Sequence, residues 1–511
     1  MMTSTGVRNR SGRPLRVFLV NVGLRLPLYP LATPPLGIMY LAAYLRERFD
    51  VEIKLLNQKV RNDSNEEIAQ MAAEFEADVV GFGALTPTAW GLADMTRGVR
   101  DRLPNALIAL GGPHVSSFGA QSLEGTAADV AVPGEGEVAL EAVINAYLDN
   151  GDFSAVPGIF RQTKEGELVT NPGSTPTVDD IDTLPFPAYD LINIRDYFKL
   201  QSMPPIPRRQ YISLFSSRGC PYKCNYCHDV FGKRFRQHSA ERVVDEVEYF
   251  SKTYGITDFE FVDDIYNLNP QRVMDVAALL KQRNLKIKIA FPNGVRTDIL
   301  REPGVEALVE SGMYFCSFAL ESGSPRIQQL MGKELDIPRF LQGVKWATDR
   351  GVYANGFSMM GFPHEREADM RMTMDVLCES TLHTMSLFTV TPFPGTKLYG
   401  EAMERKPEML DQLSTRYGKM NFASIMVNFS DEPDETLYKY QRMTNRRFFG
   451  NPWRIARLLR DYPKPHLLPL YVPILADRMF KGLTASKSSP PPPRCFPEEQ
   501  EVAAAPVGTQ S

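Results

Sequence analysis

The sequence predicts an α/β protein with two successive strand–helix series followed by a helical carboxyl-terminal region. Short apolar runs alternate with amphipathic helical patterns from residue 16 to about 150, and again from about 206 to 400. Parallel sheets require this alternation, because each strand must return through a crossover before the next can pair with it. The stretch between the two series, residues 151 to 205, has many prolines and few periodic runs, as a connector does. At 511 residues and 43% hydrophobic content, the chain is long enough for about three domains, each with its own core.

In the first series "RVFLVNV" (16–22), "VEIKLLN" (51–57), "DVVGFGAL" (78–85), "ALIALGG" (106–112) and the start of "DVAVPGEGE" (129–137) read as strands. Between and after them "PPLGIMYLAAYLRERF", "NEEIAQMAAEFEA", "WGLADMTRGVRDRLP" and "EVALEAVINAYL" read as helices. The expected result is a doubly wound, Rossmann-like sheet covered on both faces, with ligands at the carboxyl ends of its strands. Those ends are "NVGLRLPLYP", "LNQKV", "ALTPT", "GGPHVSS" and "PGEGE", rich in the small residues that let a backbone approach a ligand closely.

The second series offers six strands: "YISLFSS", "DFEFVDD", "IKIAFPNG", "YFCSFALES", "YANGFSMMGF" and "TMSLFTVTP", with helical stretches such as "SAERVVDEVEYFSKTYG" between them. Six units fit a partial (β/α)6 TIM-type barrel, whose working face is the carboxyl end of the strands. From residue 401 to 482 the pattern is helical and amphipathic, and 483–511 is a Pro-, Ser- and Ala-rich tail expected to be disordered, like residues 1–15 at the other end. The segment 451–483 suits a helical lid on the barrel, a wall of a hydrophobic substrate pocket, or a peripheral membrane contact.

Charge excludes one class of partner: 57 Lys+Arg against 61 Asp+Glu leave a net −4, with no basic excess to attract nucleic acid. No secretory apolar core opens the sequence and no run of 18 apolar residues crosses it, so the expectation is a cytoplasmic protein without a transmembrane segment, whose thiols stay reduced.

Three of the six cysteines, Cys220, Cys224 and Cys227, crowd into "SSRGCPYKCNYCHDVFGKRFR", at the end of the first strand of the second series. Soft thiolates select zinc or iron–sulfur clusters. A closed zinc site takes four ligands, usually in paired short spacings; here there is one triplet and no second pair, and His228 directly follows Cys227. A cluster with one iron left open accounts better for three thiolates. Cys316, Cys378 and Cys495 are scattered singly, as buried or idle thiols are. The basic turn "FGKRFR" puts Lys233, Arg234 and Arg236 in solvent, or beside the cluster or a substrate anion.

The loop Cys220-Pro221-Tyr222-Lys223-Cys224-Asn225-Tyr226-Cys227 resembles the CxxxCxΦC loop of radical S-adenosylmethionine enzymes. The resemblance implies a 4Fe-4S cluster on the three cysteines, with S-adenosylmethionine chelated to the open iron and cleaved to a 5′-deoxyadenosyl radical. It also implies that Tyr226, Asp263, Asp264, Arg296, Glu321, Ser322 and Gly361 hold S-adenosylmethionine, with Glu321 the foremost side chain. The first series is similar to the cobalamin-binding domain (16–150) that precedes the barrel (206–400) in one large class of these enzymes. That similarity is carried by "PPLGIMYLAAYLRERFDVEIKLLN", "VVGFGALT", "GGPH" and "GEGE", and implies cobalamin contacts from Leu85, Thr86, Pro87, Thr88, Gly111, Gly112, Pro113, Gly134 and Gly136. Where many cobalamin proteins carry a D-x-H-x-x-G loop, this chain reads "NQKVRN" (57–62), so that loop supplies no histidine to cobalt. His114 either approaches the corrin or, as a loop histidine more often does, makes a structural hydrogen bond.

The resemblance implies an enzyme that methylates an unactivated carbon, or phosphorus, of a small-molecule biosynthetic intermediate through methylcobalamin and the 5′-deoxyadenosyl radical, with electrons from a flavodoxin or ferredoxin. The alternative is a radical cyclase, oxidoreductase or rearrangement enzyme that keeps cobalamin without net methyl transfer.

Overall fold

The computed structural model of the chain describes residues 12–23, 31–163, 165–228, 230–409 and 428–469. Most of the amino-terminal extension, the tail with Cys495, and parts of the carboxyl-terminal helical region lie outside the described residues.

Two sheets carry the molecule. The first contains β1 (Leu15–Asn21), β2 (Val51–Asn57), β3 (Val79–Gly83), β4 (Leu107–Gly111), β5 (Val130–Val132), β6 (Phe160–Gln162) and β7 (Leu168–Thr170), in the order β2-β1-β3-β4-β5-β6-β7. The first five are parallel, with Asn21 opposite both Asn57 and Gly83. Alternation along β1 builds a core on each face. Leu15, Val17 and Leu19 face the helices Leu36–Arg46 and Glu137–Asp149, and Phe18, Val20 and Val22 face Asn65–Glu74 and Leu92–Arg102. A strand buried on both sides must be apolar throughout, which is what "RVFLVNV" shows. Helix Asn65–Glu74 starts at a capping box, Ser64 with Glu67, which satisfies amide groups that a helix start leaves free.

The connector differs from its sequence reading. It adds β6 and β7 as an antiparallel edge to the first sheet, three-residue strands too short to show a period. It also packs on both sheets: the Tyr189 hydroxyl donates to the Ser213 carbonyl at 2.7 Å and accepts from the Ser213 amide at 2.9 Å, while the Ala188 amide donates to the Met39 carbonyl at 3.2 Å.

The six strands expected of the second series all form: β8 (Tyr211–Leu214), β11 (Asp258–Phe261), β12 (Lys288–Phe291), β13 (Met313–Glu321), β14 (Tyr353–Met360) and β15 (Thr384–Thr389), parallel and in chain order. Between β8 and β11 a two-residue ribbon, β9 (Ser217–Arg218) against β10 (Arg236–Gln237), closes the base of the cysteine loop.

Helix Asp434–Phe449 lays Leu437 and Tyr440 on Met370 and Met374 of helix Glu367–Glu379. Helix Pro452–Asp461 docks in an unexpected orientation. Arg454 is buried and donates to the Leu377, Cys378, Ser380 and Leu382 carbonyls, while Trp453 is 80% exposed and Ile455 and Leu459 face outward with it. The helix holds the barrel flank through Arg454, which caps carbonyls, and through the buried Leu458, which packs with Phe315 and Tyr353. Among the described residues no helix is long and apolar enough to cross a membrane.

Candidate active site

The site grows from the end of β8. Asp263, just past β11, is buried, and its carboxylate accepts from the Ser216 amide at 2.8 Å, the Ser216 hydroxyl at 3.1 Å and the Ser217 hydroxyl at 2.6 Å. Burial pushes its carboxyl up, against the pull of Arg272 and these hydrogen bonds. Arg272 donates to the Ser216 and Tyr266 carbonyls. Asp263 therefore roots the cysteine loop, its oxygens occupied from within the protein. Neighbouring Asp264 is exposed and lies close enough to Cys220 and Cys227 for its charge to add to the desolvation that raises both thiols.

The loop turns at Gly219, where φ is +83° and a Cβ would stand 2.3 Å from the Arg234 carbonyl oxygen; only glycine fits. The Cys220 amide then donates to the Gly232 carbonyl at 3.2 Å and the Asn225 amide to the Met331 carbonyl at 2.9 Å. Cys220 and Cys224 are half-buried and Cys227 is exposed at its surface. Desolvation, then the neighbouring Cys224, nevertheless pushes its thiol up to about 12. Among the described residues no three His, Cys, Asp or Glu side chains are placed to hold one metal ion. Three thiolates from one short loop suit a cluster, in which each thiolate takes its own iron and one iron stays open, better than a closed four-ligand zinc site.

Tyr226 brings the other predicted residues to this loop. Its ring packs on Phe362 with centroids 6.1 Å apart, and burial, then the charges of Glu321 and Cys224, push its hydroxyl far up. Glu321 ends β13 at a register shift, with φ +63°, a conformation that costs an ordinary residue roughly 1–2 kcal/mol. Its carboxylate accepts from Lys333 Nζ at 3.2 Å, and that ammonium also donates to the Ala319 carbonyl at 2.6 Å. Backbone strain of this kind gathers at ligand-binding positions. Arg296 stacks its guanidinium 3.6 Å from the Tyr222 ring centroid and is held by Asp298 at 2.9 Å, so it reaches the loop through Tyr222.

Two predicted residues make hydrogen bonds within the protein. Ser322 is fully buried and shares a hydrogen bond with Thr373 at 3.2 Å. Gly361 (φ +100°) donates its amide to Glu365 at 2.5 Å. Glu365 is buried, its Oε1 lacks a partner, and desolvation lifts its carboxyl to about 8.

On the first sheet the order β2-β1-β3 puts the crevice where the strand order reverses, at the carboxyl ends of β1 and β3. Leu85 is 53% exposed there, beside the buried Thr86, and the Thr88 hydroxyl closes the turn onto the Leu85 backbone. Gly112 has φ +87°, and a Cβ on it would lie 3.0 Å from the Ala84 carbonyl oxygen. Pro113 and His114 follow in the short helix Pro113–Phe118. His114 Nδ1 is buried without a hydrogen-bond partner, so the expected structural bond is not made by that nitrogen, and desolvation lowers the ring to about 4. An apolar, glycine-lined ledge with a neutral imidazole suits a large flat group such as a corrin.

The two carboxyl-end faces meet at the cysteine loop. A Cβ on Gly134 would lie 3.5 Å from the Val230 carbonyl oxygen, and the Ser117 hydroxyl is 3.1 Å from His228 Nδ1. Beside Gly136, Glu135 and Glu137 reach into the root of the loop: Arg218 donates to Glu135 at 2.9 Å and to Glu137 at 2.7 Å, and Arg236 pairs with Glu135. Arg236 is thus neither a solvated turn residue nor a ligand-facing one. Arg234 pairs with Asp179 at the surface, and Lys233 donates to the Tyr222 carbonyl at 2.6 Å. Sequence reasoning missed this buried set because its partners stand 83 and 101 positions apart; the only local signal was two glutamates in a glycine turn.

A strand-end loop of three thiolates on a six-stranded parallel barrel defines a radical S-adenosylmethionine enzyme. The Radical SAM superfamily model matches residues 214–377, and the B12 binding domain model matches residues 29–144. An uncharacterized methyltransferase of Pyrococcus horikoshii is 31% identical over 373 residues, 72% of this chain and 78% of that one. The cytidylyl-2-hydroxyethylphosphonate methyltransferase of Streptomyces wedmorensis is 26% identical over 470 residues, covering 82% and 87%. Among solved structures, the radical S-adenosylmethionine methyltransferase TsrM of Kitasatospora setae, with cobalamin and its 4Fe-4S cluster bound, superposes with a TM-score of 0.62 at 20% identity, over 77% of this chain and 75% of that one. The chain belongs to the cobalamin-binding radical S-adenosylmethionine enzymes.

Proposed function

We propose that this enzyme transfers a methyl group to an unactivated carbon, or to phosphorus, of a small-molecule biosynthetic intermediate. The observation that carries the reading is the meeting of the two carboxyl-end faces at the cysteine loop, in a chain similar over most of its length to two proteins named methyltransferases and also to proteins named anaerobic magnesium-protoporphyrin IX monomethyl ester cyclases. When bound, the cluster and S-adenosylmethionine supply a hydrogen-abstracting radical, and cobalamin carries the methyl group.

The residues of the chain have separate tasks in this reading. Cys220, Cys224 and Cys227 ligate the cluster. Asp264, Glu321 and Gly361 line the S-adenosylmethionine site with Tyr226 as an apolar wall, and Arg296 braces Tyr222. Asp263 and Ser322 hold those strand ends from behind. Leu85, Thr86, Thr88, Gly111, Gly112, Pro113, Gly134 and Gly136 form the cobalamin ledge. "NQKVRN" carries no histidine, which leaves the lower face of cobalt without an imidazole from that loop. A flavodoxin or ferredoxin in the cytoplasm supplies the electrons.

The test is anaerobic incubation of reduced, reconstituted protein with methyl-labelled S-adenosylmethionine and candidate substrates drawn from neighbouring biosynthetic genes. A product heavier by one labelled methyl group, formed with 5′-deoxyadenosine, is the expected result. A product that has only lost hydrogens would replace methyl transfer with ring closure or oxidation.

A further inference from the structure

The buried charges between the two sheets do more than the reading above asks of them. Arg218, Arg236, Glu135 and Glu137 are between 3% and 7% exposed. For stability alone, apolar residues of similar size would serve as well or better, since burying four charges carries a large desolvation cost. What charged forks add is geometry: guanidinium and carboxylate groups fix both distance and angle, whereas apolar surfaces slide.

The forks converge at a place where such rigidity matters. Arg218 stands two residues before Cys220, with its guanidinium 5.3 Å from the Tyr40 ring centroid in the first sheet's leading helix and 5.4 Å from that of Phe231 in the cysteine loop. Arg236, across the ribbon, also donates to the Val178 carbonyl of the connector at 2.6 Å. Glu135 takes both arginines and sits between Gly134 and Gly136, two of the ledge residues. Glu137 opens helix Glu137–Asp149, where the helix dipole favours its charge.

We propose that Glu135 is a positioning residue of the reaction: through Arg218 and Arg236 it locks the last turn of the first sheet to the root of the cysteine loop, and so sets the separation between the cobalt and the cluster. The proposal rests on both groups being bound as described above.

Its test uses the loaded protein. The magnetic coupling between cob(II)alamin and the reduced cluster falls with the cube of their separation, so pulsed electron paramagnetic resonance reads that separation directly. Wild type should give one narrow separation, and Glu135→Gln should lose it, giving a broad distribution at equal iron and cobalt content. Glu260→Gln is the control. It breaks a buried pair of the same kind, Arg209 to Glu260 at 2.6 Å, inside the barrel and away from the ribbon, and should keep the narrow separation. A narrow separation retained in Glu135→Gln, or equal broadening in Glu260→Gln, overturns the proposal. Should Glu135→Gln not fold, Arg236→Lys, which keeps the charge but loses the two-pronged pairing with Glu135, carries the same comparison.

If wild type takes up no cobalt or no iron, the functional reading fails separately. Hydrogen exchange on the cofactor-free chain then decides the lock by itself. Glu135→Gln should lose protection at the amides of Cys220 and Gly134, bonded to the Gly232 carbonyl and the Ser116 hydroxyl, and unchanged protection there overturns it.

Discussion

Replacing Gly219 by alanine tests whether the cysteine loop is placed by its backbone. At φ +83° an alanine sits in the left-handed region, and its Cβ would stand 2.3 Å from the Arg234 carbonyl oxygen and 3.1 Å from that of Gly232. Both obstacles are backbone, pinned by the ribbon Ser217–Arg218 against Arg236–Gln237, so neither can swing aside as a side-chain tip would. The conformational cost is about 1–2 kcal/mol and overpacking adds about 1–3 kcal/mol, together about 2–5 kcal/mol. A native protein has a total stability of about 5–15 kcal/mol, so the variant folds but relieves the clash by moving residues 219–220. The assay is iron content and visible absorption after anaerobic reconstitution, alongside denaturant unfolding.

Gly312→Ala is the matched control. There φ is +102° and a Cβ would stand 2.1 Å from the Ile287 carbonyl oxygen, a collision at least as severe, but at the amino end of β13, the opposite end of the barrel. Both variants should lose similar stability, and only Gly219→Ala should lose iron. Full iron in Gly219→Ala, or equal loss in Gly312→Ala, would refute the reasoning.

Alanine at Cys220, Cys224 or Cys227 should each abolish the brown absorption and the iron, about four per wild-type chain, whereas Cys316→Ala, deep in the barrel core, should keep both; zinc at one per chain in the wild type would contradict this. Glu321→Ala should keep its iron but slow the conversion of S-adenosylmethionine to 5′-deoxyadenosine, measured chromatographically; an unchanged rate would remove Glu321 from the cofactor site. Glu365 gives a pH signature. Its carboxyl is raised to about 8 in the fold, so between the ordinary glutamate value and 8 the native chain binds more protons than the unfolded one and stability falls as pH rises. Glu365→Gln should flatten that slope in urea titrations of the cofactor-free chain, and an unaltered slope would show that Glu365 does not titrate there.

The longer contiguous patterns were legible in the sequence, and the three-residue strands β6 and β7 were not. The six barrel strands, the five parallel strands of the first sheet and the helices between them follow from apolar period and turn residues within short windows. The cysteine triplet declared its chemistry through a spacing that needs no partner elsewhere in the chain. The absence of a histidine in "NQKVRN" was also readable locally.

What depended on long-range pairing was not. Asp263 sits beside Asp264, yet one roots the loop and the other faces the thiols, because alternate residues at a strand end point opposite ways. Arg236 looked like part of a solvated basic turn until the fold set it against Glu135, and helix Pro452–Asp461 docks by Arg454 and Leu458 while Trp453, Ile455 and Leu459 stay outside. The positive φ of Glu321 arises from a register shift between β13 and β14, which no window of sequence contains. Sequence decides such features only through the sum of distant contacts: a buried charge is tolerable solely where its counter-charge arrives, and that meeting is made by the tertiary fold.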